Sequence, residues 1–346
     1  MASIDKEAYA AQAEEKRREL SNKVIEYAKN FHQHPEKIVE FLEFQSRFYR
    51  YSTNNTMLIQ MQNQGAVFCG SFKYFKDKGY SVKKGEKGMQ ILVPTLKTFL
   101  KLSGDEKIPL SDANKEQKQA YKEGKIDSYK KLYFKVGTVF DISQTNCPKE
   151  DYPKLLDLGY SSEQHAELYE KLKEFSETEL NCPVKSDAYS SVAMRGFYSP
   201  KYNHIMISGN FDDTTKLSIL SHELGHAMMH NTEELAGESR SVLQKEFEAD
   251  AVSIMLYNKF GLEISDSRLD HLSTTFKELT ALKGYKPEML NESLERANKA
   301  YKKVSDYLNG EQQQEFEQKS EREQSTANKE PILPNQVQGA GMTQTM

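Results

Sequence analysis

The chain has 346 residues, 28% charged and 37% hydrophobic, with a formal net charge of −4. That length predicts two domains, and a charge so near neutrality excludes a polycation that holds nucleic acid over its whole surface, so any such site is a local patch. Three widely spaced cysteines (Cys69, Cys147 and Cys182) and the lack of a signal-like start or an apolar run long enough to span a bilayer exclude a disulfide framework and a membrane span, and the expectation is a reducing, cytoplasmic compartment.

In chain order, residues 4–32 are polar and helix-favouring, and Glu36 to Tyr49 carries Ile38, Phe41, Leu42 and Phe48 mostly at helical spacing. Thr53, Asn54 and Asn55 interrupt, and Met57 to Met61 reads as a further helix. From Gly65 onward the chain is punctuated by glycine, and Met89 to Pro94 reads as a strand that the proline ends. Residues 103–131 are a charged insertion, and strand character returns from Leu132 to Asp141. Pro148 to Pro153 reads as a linker, and 162–180 as an amphipathic helix. Gly196 to Ser208 reads as a hairpin leading into a short strand, Ile205 to Ile207. Asp212 to Thr215 then supply N-cap candidates for a helix. Helices are expected at 266–283 and 287–308, and a Gln/Glu/Ser-rich disordered tail from Gly310.

The helix that follows Asp212 contains His222-Glu223-Leu224-Gly225-His226. A spacing of four puts both histidines on one face, where they can hold one Zn²⁺, and Glu223 beside them can take a proton from water. Twenty positions later Glu246 and Asp250 share the face of a second helix. Glu246 offers a third ligand, and Asp250 an outer hydrogen bond to fix a ligand histidine. Two His and one Glu leave a position open, the catalytic arrangement; Mn²⁺ or Co²⁺ also suits these donors. Glu248, pointing roughly the other way, is the rival third ligand. His230, one turn past His226, is expected at the solvent rather than as a fourth ligand. Tyr257, Tyr202 and His204 are candidates for a second electrophile.

The run HELGHAMMH followed by EFEAD resembles the zinc metallopeptidases whose third ligand is a Glu on a second helix, the ImmA/IrrE-type peptidases of mobile elements above all. In such folds a strand near the metal offers its edge to an extended peptide.

Between Cys69 and Gly88, lysines alternate with aromatics and glycines. Lys73, Lys76, Lys83, Lys84 and Lys87 can track a phosphate backbone, and Tyr74 can stack a base, as single-stranded nucleic acid requires. The alternative is that the aromatics are core and the lysines an exposed turn. Three blocks, Tyr51 to Gln62, Val82 to Pro94 and Val139 to Thr145, resemble, in order, the N-terminal domain of ArdC-type antirestriction proteins. That family joins a domain implicated in single-stranded DNA binding to a zinc-peptidase-like domain. The family often has Trp in the stretch matching Phe72 to Lys78, and this chain has none.

The expected fold is α+β in two domains. Residues 1–146 form an ArdC-like, DNA-binding α+β domain. Residues 147–309 form a mainly helical, zincin-like metallopeptidase domain with a small sheet, and 310–346 a tail. The expected function is that of a mobile-element antirestriction protein that binds single-stranded DNA and cleaves an unidentified protein, with Zn²⁺ on His222, His226 and Glu246 and with Glu223 as base. The alternatives are a DNA-protecting protein with a structural or vestigial zinc site, a peptidase that cleaves a repressor, and an interaction protein with neither activity.

Overall fold

A computed structural model of the chain describes residues 6–102, 106–154, 162–187, 195–236 and 240–327. Met1–Lys302 is one compact unit, and Lys303–Met346 a second.

The N-terminal part begins with three helices, α1 (Lys6–Gln33), α2 (Lys37–Arg47) and α3 (Thr53–Gln62). Ser52 caps α3 by accepting from the Asn55 backbone N–H, so the expected helix starts four residues earlier than its apolar run. A four-stranded antiparallel sheet follows, in the order β1-β4-β2-β3. It comprises β1 (Cys69–Gly70), β2 (Met89–Lys101), β3 (Lys107–Pro109) and β4 (Ser128–Asp141). A short α4 (Phe72–Asp77) follows β1, and α5 (Lys115–Lys122) lies in the charged insertion. The helices cover one sheet face, where Met89, Ile91 and Val139 pack with Phe44, Phe48 and Ile59. This is the period-two alternation of a half-buried sheet.

Pro94 does not end its strand, contrary to the sequence reading. Asn55 donates to the Leu92 carbonyl (2.9 Å) and accepts from its N–H (2.8 Å). Gln62 does the same at Gln90, 2.9 Å in each direction. Residues 90 and 92 thus turn their backbone polar groups away from β4, and by alternation so does 94. A proline there interrupts no ladder bond, and β2 continues to Lys101. Two side-chain amides stand in for a neighbouring strand.

In the C-terminal part, α6 (His165–Glu179) precedes a second sheet of β5 (Val184–Asp187), β6 (Gly196–Ser199) and β7 (His204–Ser208), in the order β5-β7-β6. The helices α7 (Asp213–Met229), α8 (Val242–Phe260), α9 (Asp266–Ala281) and α10 (Pro287–Ala327) follow. Asp212 caps α7, accepting from Thr215 N–H at 2.7 Å. The strand read around Ile205 to Ile207 is central, paired on both sides; a free edge for an extended peptide therefore belongs to another strand. The helix α10 continues to Ala327, past the expected onset of a disordered tail at Gly310. The Gln, Glu and Lys of that stretch are good helix formers with no proline to stop them. Residues 328–346 lie outside the described ones.

The two parts share an interface. Helix α2 packs on α8, Glu295 of α10 accepts from the Thr53 N–H (2.9 Å), and Asn298 donates to the carbonyls of Tyr49 (3.3 Å) and Tyr51 (3.1 Å). No helix among the described residues is long and apolar enough to cross a membrane.

Candidate metal centre

Helices α7 and α8 touch backbone to backbone at the motif. A Cβ at Gly225 would stand 2.9 Å from Ala249 Cα and 3.2 Å from the Ala249 carbonyl oxygen. Only glycine admits that approach, and it is what lets side chains from the two helices reach one point. His222 and His226 come from α7 and Glu246 from α8; among the described residues they form the one cluster with ligand atoms all within 4.8 Å of one another. The two Nε2 atoms are 3.2 Å apart, and each lies 3.6 Å from a Glu246 carboxylate oxygen.

The outer nitrogens of both rings are tied down. His222 Nδ1 lies 3.0 Å from Asp250 Oδ1. Fully buried Asp250 also accepts from Arg268 (2.8 Å) and pairs with His271 Nδ1 (2.7 Å). His226 Nδ1 lies 2.9 Å from His230 Nδ1, and His230 Nε2 lies 3.0 Å from Glu248 Oε2. Glu248 is itself fully buried and accepts from Arg296 Nη2 (2.6 Å) and Ser293 Oγ (2.7 Å) of α10. Two chains of polar contacts thus run outward, one from each histidine, and leave both Nε2 atoms facing Glu246.

One sequence expectation changes, that for His230, and the other candidates can be placed. His230 is buried, not at the solvent, because its ring is held between His226 and Glu248. Glu248, the rival ligand, is committed to His230 and Arg296, away from the cluster. Tyr257 is buried and bonded to Ser218 and Arg268 rather than to the three clustered side chains. Neither Tyr202 nor His204 is hydrogen-bonded to those side chains among the described residues.

Burial opposes charge on His222, but the carboxylates of Asp250 and Glu246 outweigh it and hold the imidazole up at about 9. The imidazoles of His222 and His226, each 3.6 Å away, hold Glu246 well below the usual carboxylate range. Burial pushes Asp250 up, yet His222, His271 and Arg268 keep it ionised far below that range. Burial likewise keeps His230 neutral, against the pull of Glu248. A neutral His230 with Nε2–H toward Glu248 accepts at Nδ1 from His226, which fixes His226 with its Nε2 lone pair toward Glu246. Glu223 is only 9% exposed, and its carboxylate has no hydrogen bond or ion pair among the described residues.

The nucleic-acid candidates lie on α4 and the turn that leads into β2. Lys73 and Lys76 are exposed on α4, and Lys83, Lys84 and Lys87 on the following turn. Lys83 donates to the Ser143 carbonyl (2.9 Å). Tyr74 is half-buried against Phe68 and Phe75, and Phe75 is core.

A mixed helix-and-strand protein with a His₂Glu cluster on two packed helices is the class this geometry defines. Residues 7–140 match the family model of the N-terminal domain of anti-restriction factor ArdC, so the chain carries an ArdC-type N-terminal domain. The uncharacterized protein pXO2-81 of Bacillus anthracis is 32% identical over 281 residues, 76% of this chain and 47% of the relative; the chain spans about half the length of that relative. The crystal structure of antirestriction ArdC protein from plasmid R388, metal-free, aligns over 74% of this chain and 85% of its own with 16% identity and a TM-score of 0.43. Its Mn(II)-bound form gives 17% identity, a TM-score of 0.40 and coverage of 74% and 84%.

Proposed function

We propose that this chain is a mobile-element antirestriction protein whose N-terminal part binds single-stranded DNA and whose C-terminal part is a metal-dependent peptidase. The observation that carries the peptidase reading is the convergence of His222, His226 and Glu246 beside a Glu223 carboxylate that has no hydrogen bond or ion pair among the described residues. Two imidazoles and a carboxylate are the donor set of hydrolytic zinc sites. The fit goes beyond donor type, because both imidazoles are held by their outer nitrogens in the orientation that ligation needs.

His222, His226 and Glu246 would hold a divalent ion, which would supply Lewis acidity toward a peptide carbonyl and acidify water. Glu223 accepts the proton from water and delivers it to the leaving amine. Asp250 and His230 keep His222 and His226 from rotating or changing tautomer. Arg268 neutralises the buried Asp250, so the cluster does not carry an unpaired carboxylate.

The test is a peptide pool read by mass spectrometry after loading with Zn²⁺ or with Mn²⁺. Wild type is expected to cut, and Glu223→Gln to bind the ion and cut nothing. Cleavage that persists in Glu223→Gln removes the base from this account, and a loaded wild type that leaves the whole pool intact contradicts the peptidase reading.

A further inference from the structure

The strand register sorts the first sheet into two faces, and only one is covered by the helices. The other carries Gln90, Pro94 and Leu96 of β2 opposite Thr138, Phe134 and Leu132 of β4, with Phe140 at one end and Lys130 at the other; Leu92 and Leu100 of the same face are buried. Leu96, Leu132 and Phe134 are 63%, 53% and 44% exposed, a contiguous apolar strip on an outer surface. No acidic side chain lies on this face of either strand.

At the end near α4 the face is floored by glycines on both sides of Phe140. Gly70 is its register partner, and a Cβ at Gly88 would come 2.9 Å from the Phe140 ring. A Cβ at Gly70 would come 2.7 Å from the Tyr74 ring, so Tyr74 lies on this same face beside Phe140. Lys73, Lys76 and Lys87 are exposed around that end, next to Phe72, itself 56% exposed. The arrangement is a line of rings, Tyr74, Phe140 and Phe134, bordered by lysines. Eight residue steps from Leu132 to Phe140 span about 27 Å.

We propose that this face is the binding track for single-stranded nucleic acid, running from α4 along β4 to Leu132 and Leu96. The inference rests on the DNA-binding part of the function proposed above and gives it a location. Charge complementarity selects a polyanion, because Lys73, Lys76, Lys87 and Lys130 border the strip against Asp77 and Glu86 alone, and no carboxylate lies on this face of β2 or β4. The exposed Phe134 ring, continued by the half-buried rings of Tyr74 and Phe140, selects single strands: unstacked bases present faces to stack on, whereas a duplex presents phosphates and groove edges. The length accommodates roughly four nucleotides, the low end of such sites. Lys130 and Phe134 thereby join the track beside Lys73, Lys76 and Lys87.

The chain contains no tryptophan, so Phe134→Trp installs a single fluorescent reporter in the full-length protein. Titration with oligo-dT is expected to quench it. Phe134→Ala weakens binding roughly tenfold, the scale of one lost stacked base. Lys130→Ala lowers the slope of log affinity against log salt by about 0.7, the counterion share of one phosphate contact on a single strand. Lys131→Ala, the next residue but on the opposite face, changes that slope much less. Circular dichroism is unchanged, since Phe134 and Lys130 are exposed. If wild type binds oligo-dT while the Phe134 and Lys130 variants bind as tightly, the track is elsewhere and the DNA-binding reading survives without it. If duplex competes as well as oligo-dT, the single-strand assignment is overturned. If wild type binds no oligo-dT even at low salt, the DNA-binding reading falls and this inference with it.

Discussion

Replacing Glu248 by Gln keeps the shape of the side chain and removes its charge. In the folded protein that carboxylate has no solvent contact and accepts from Arg296 at 2.6 and 3.1 Å, Ser293 at 2.7 Å and Gln244 at 3.2 Å, with His230 at 3.0 Å and Arg240 at 3.5 Å. Burial raises its pKa, but His230 and Arg296 prevail and hold it at about 2, against an ordinary 4.5. A carboxyl depressed on folding contributes stability above its unfolded pKa, and that stability is lost as pH falls through the folded one. The displacement corresponds to about 3 kcal/mol at neutral pH. Removing one partner of a buried ion pair gives the same scale, about 3–5 kcal/mol, because two guanidiniums are left facing a neutral amide. Urea titrations of metal-free protein, with chelator present so that ligation adds nothing, measure the gap between wild type and Glu248→Gln. The expected gap is about 3 kcal/mol at pH 7 and narrows as pH falls from 4.5 toward 2. Other carboxylates titrate in both proteins and cancel. A gap under about 1 kcal/mol at pH 7, or one equally wide in acid, would refute the reasoning.

Gly225→Ala forces a methyl into the Ala249 backbone. A loss of about 1–3 kcal/mol is expected, together with weaker metal binding, because α7 must move off α8; an unchanged melting temperature and metal titration would show that the helices do not need the contact. Asn55→Leu leaves the N–H and carbonyl of Leu92 without partners at a buried position. About 2 kcal/mol or more should be lost in urea, and hydrogen exchange at Leu92 should speed up. A variant as stable and as protected as wild type would contradict the edge-capping role.

The pieces of the site were legible because they are local. The four-residue spacing of His222 and His226, and of Glu246 and Asp250, is fixed by the helix itself, and both pairs face as the spacing requires. His230 carries the same signal, four residues past His226, but periodicity places a face without saying what covers it, and here Glu248 and α10 cover it. Arg268 and Arg296 gave no signal, since they reach Asp250 and Glu248 across 18 and 48 residues of chain. The strands were readable from alternation, but their ends were not: Pro94 marks a stop only when its N–H is needed, and that depended on Asn55 and Gln62 from another element. The lysines around α4 were visible as composition, whereas the face they border emerges only from the pairing of β2 with β4.

The central claim is that Glu246, not Glu248, completes a metal site with His222 and His226. Calorimetric titration of chelator-stripped protein with Zn²⁺ tests it most directly, on wild type, Glu246→Ala and Glu248→Ala. The account predicts stoichiometric binding by wild type and its loss with Glu246→Ala. For Glu248→Ala it predicts stoichiometric binding weakened roughly 10–100-fold through the loosened His230 and His226. No stoichiometric binding by wild type, or binding that survives Glu246→Ala and vanishes with Glu248→Ala, would contradict it.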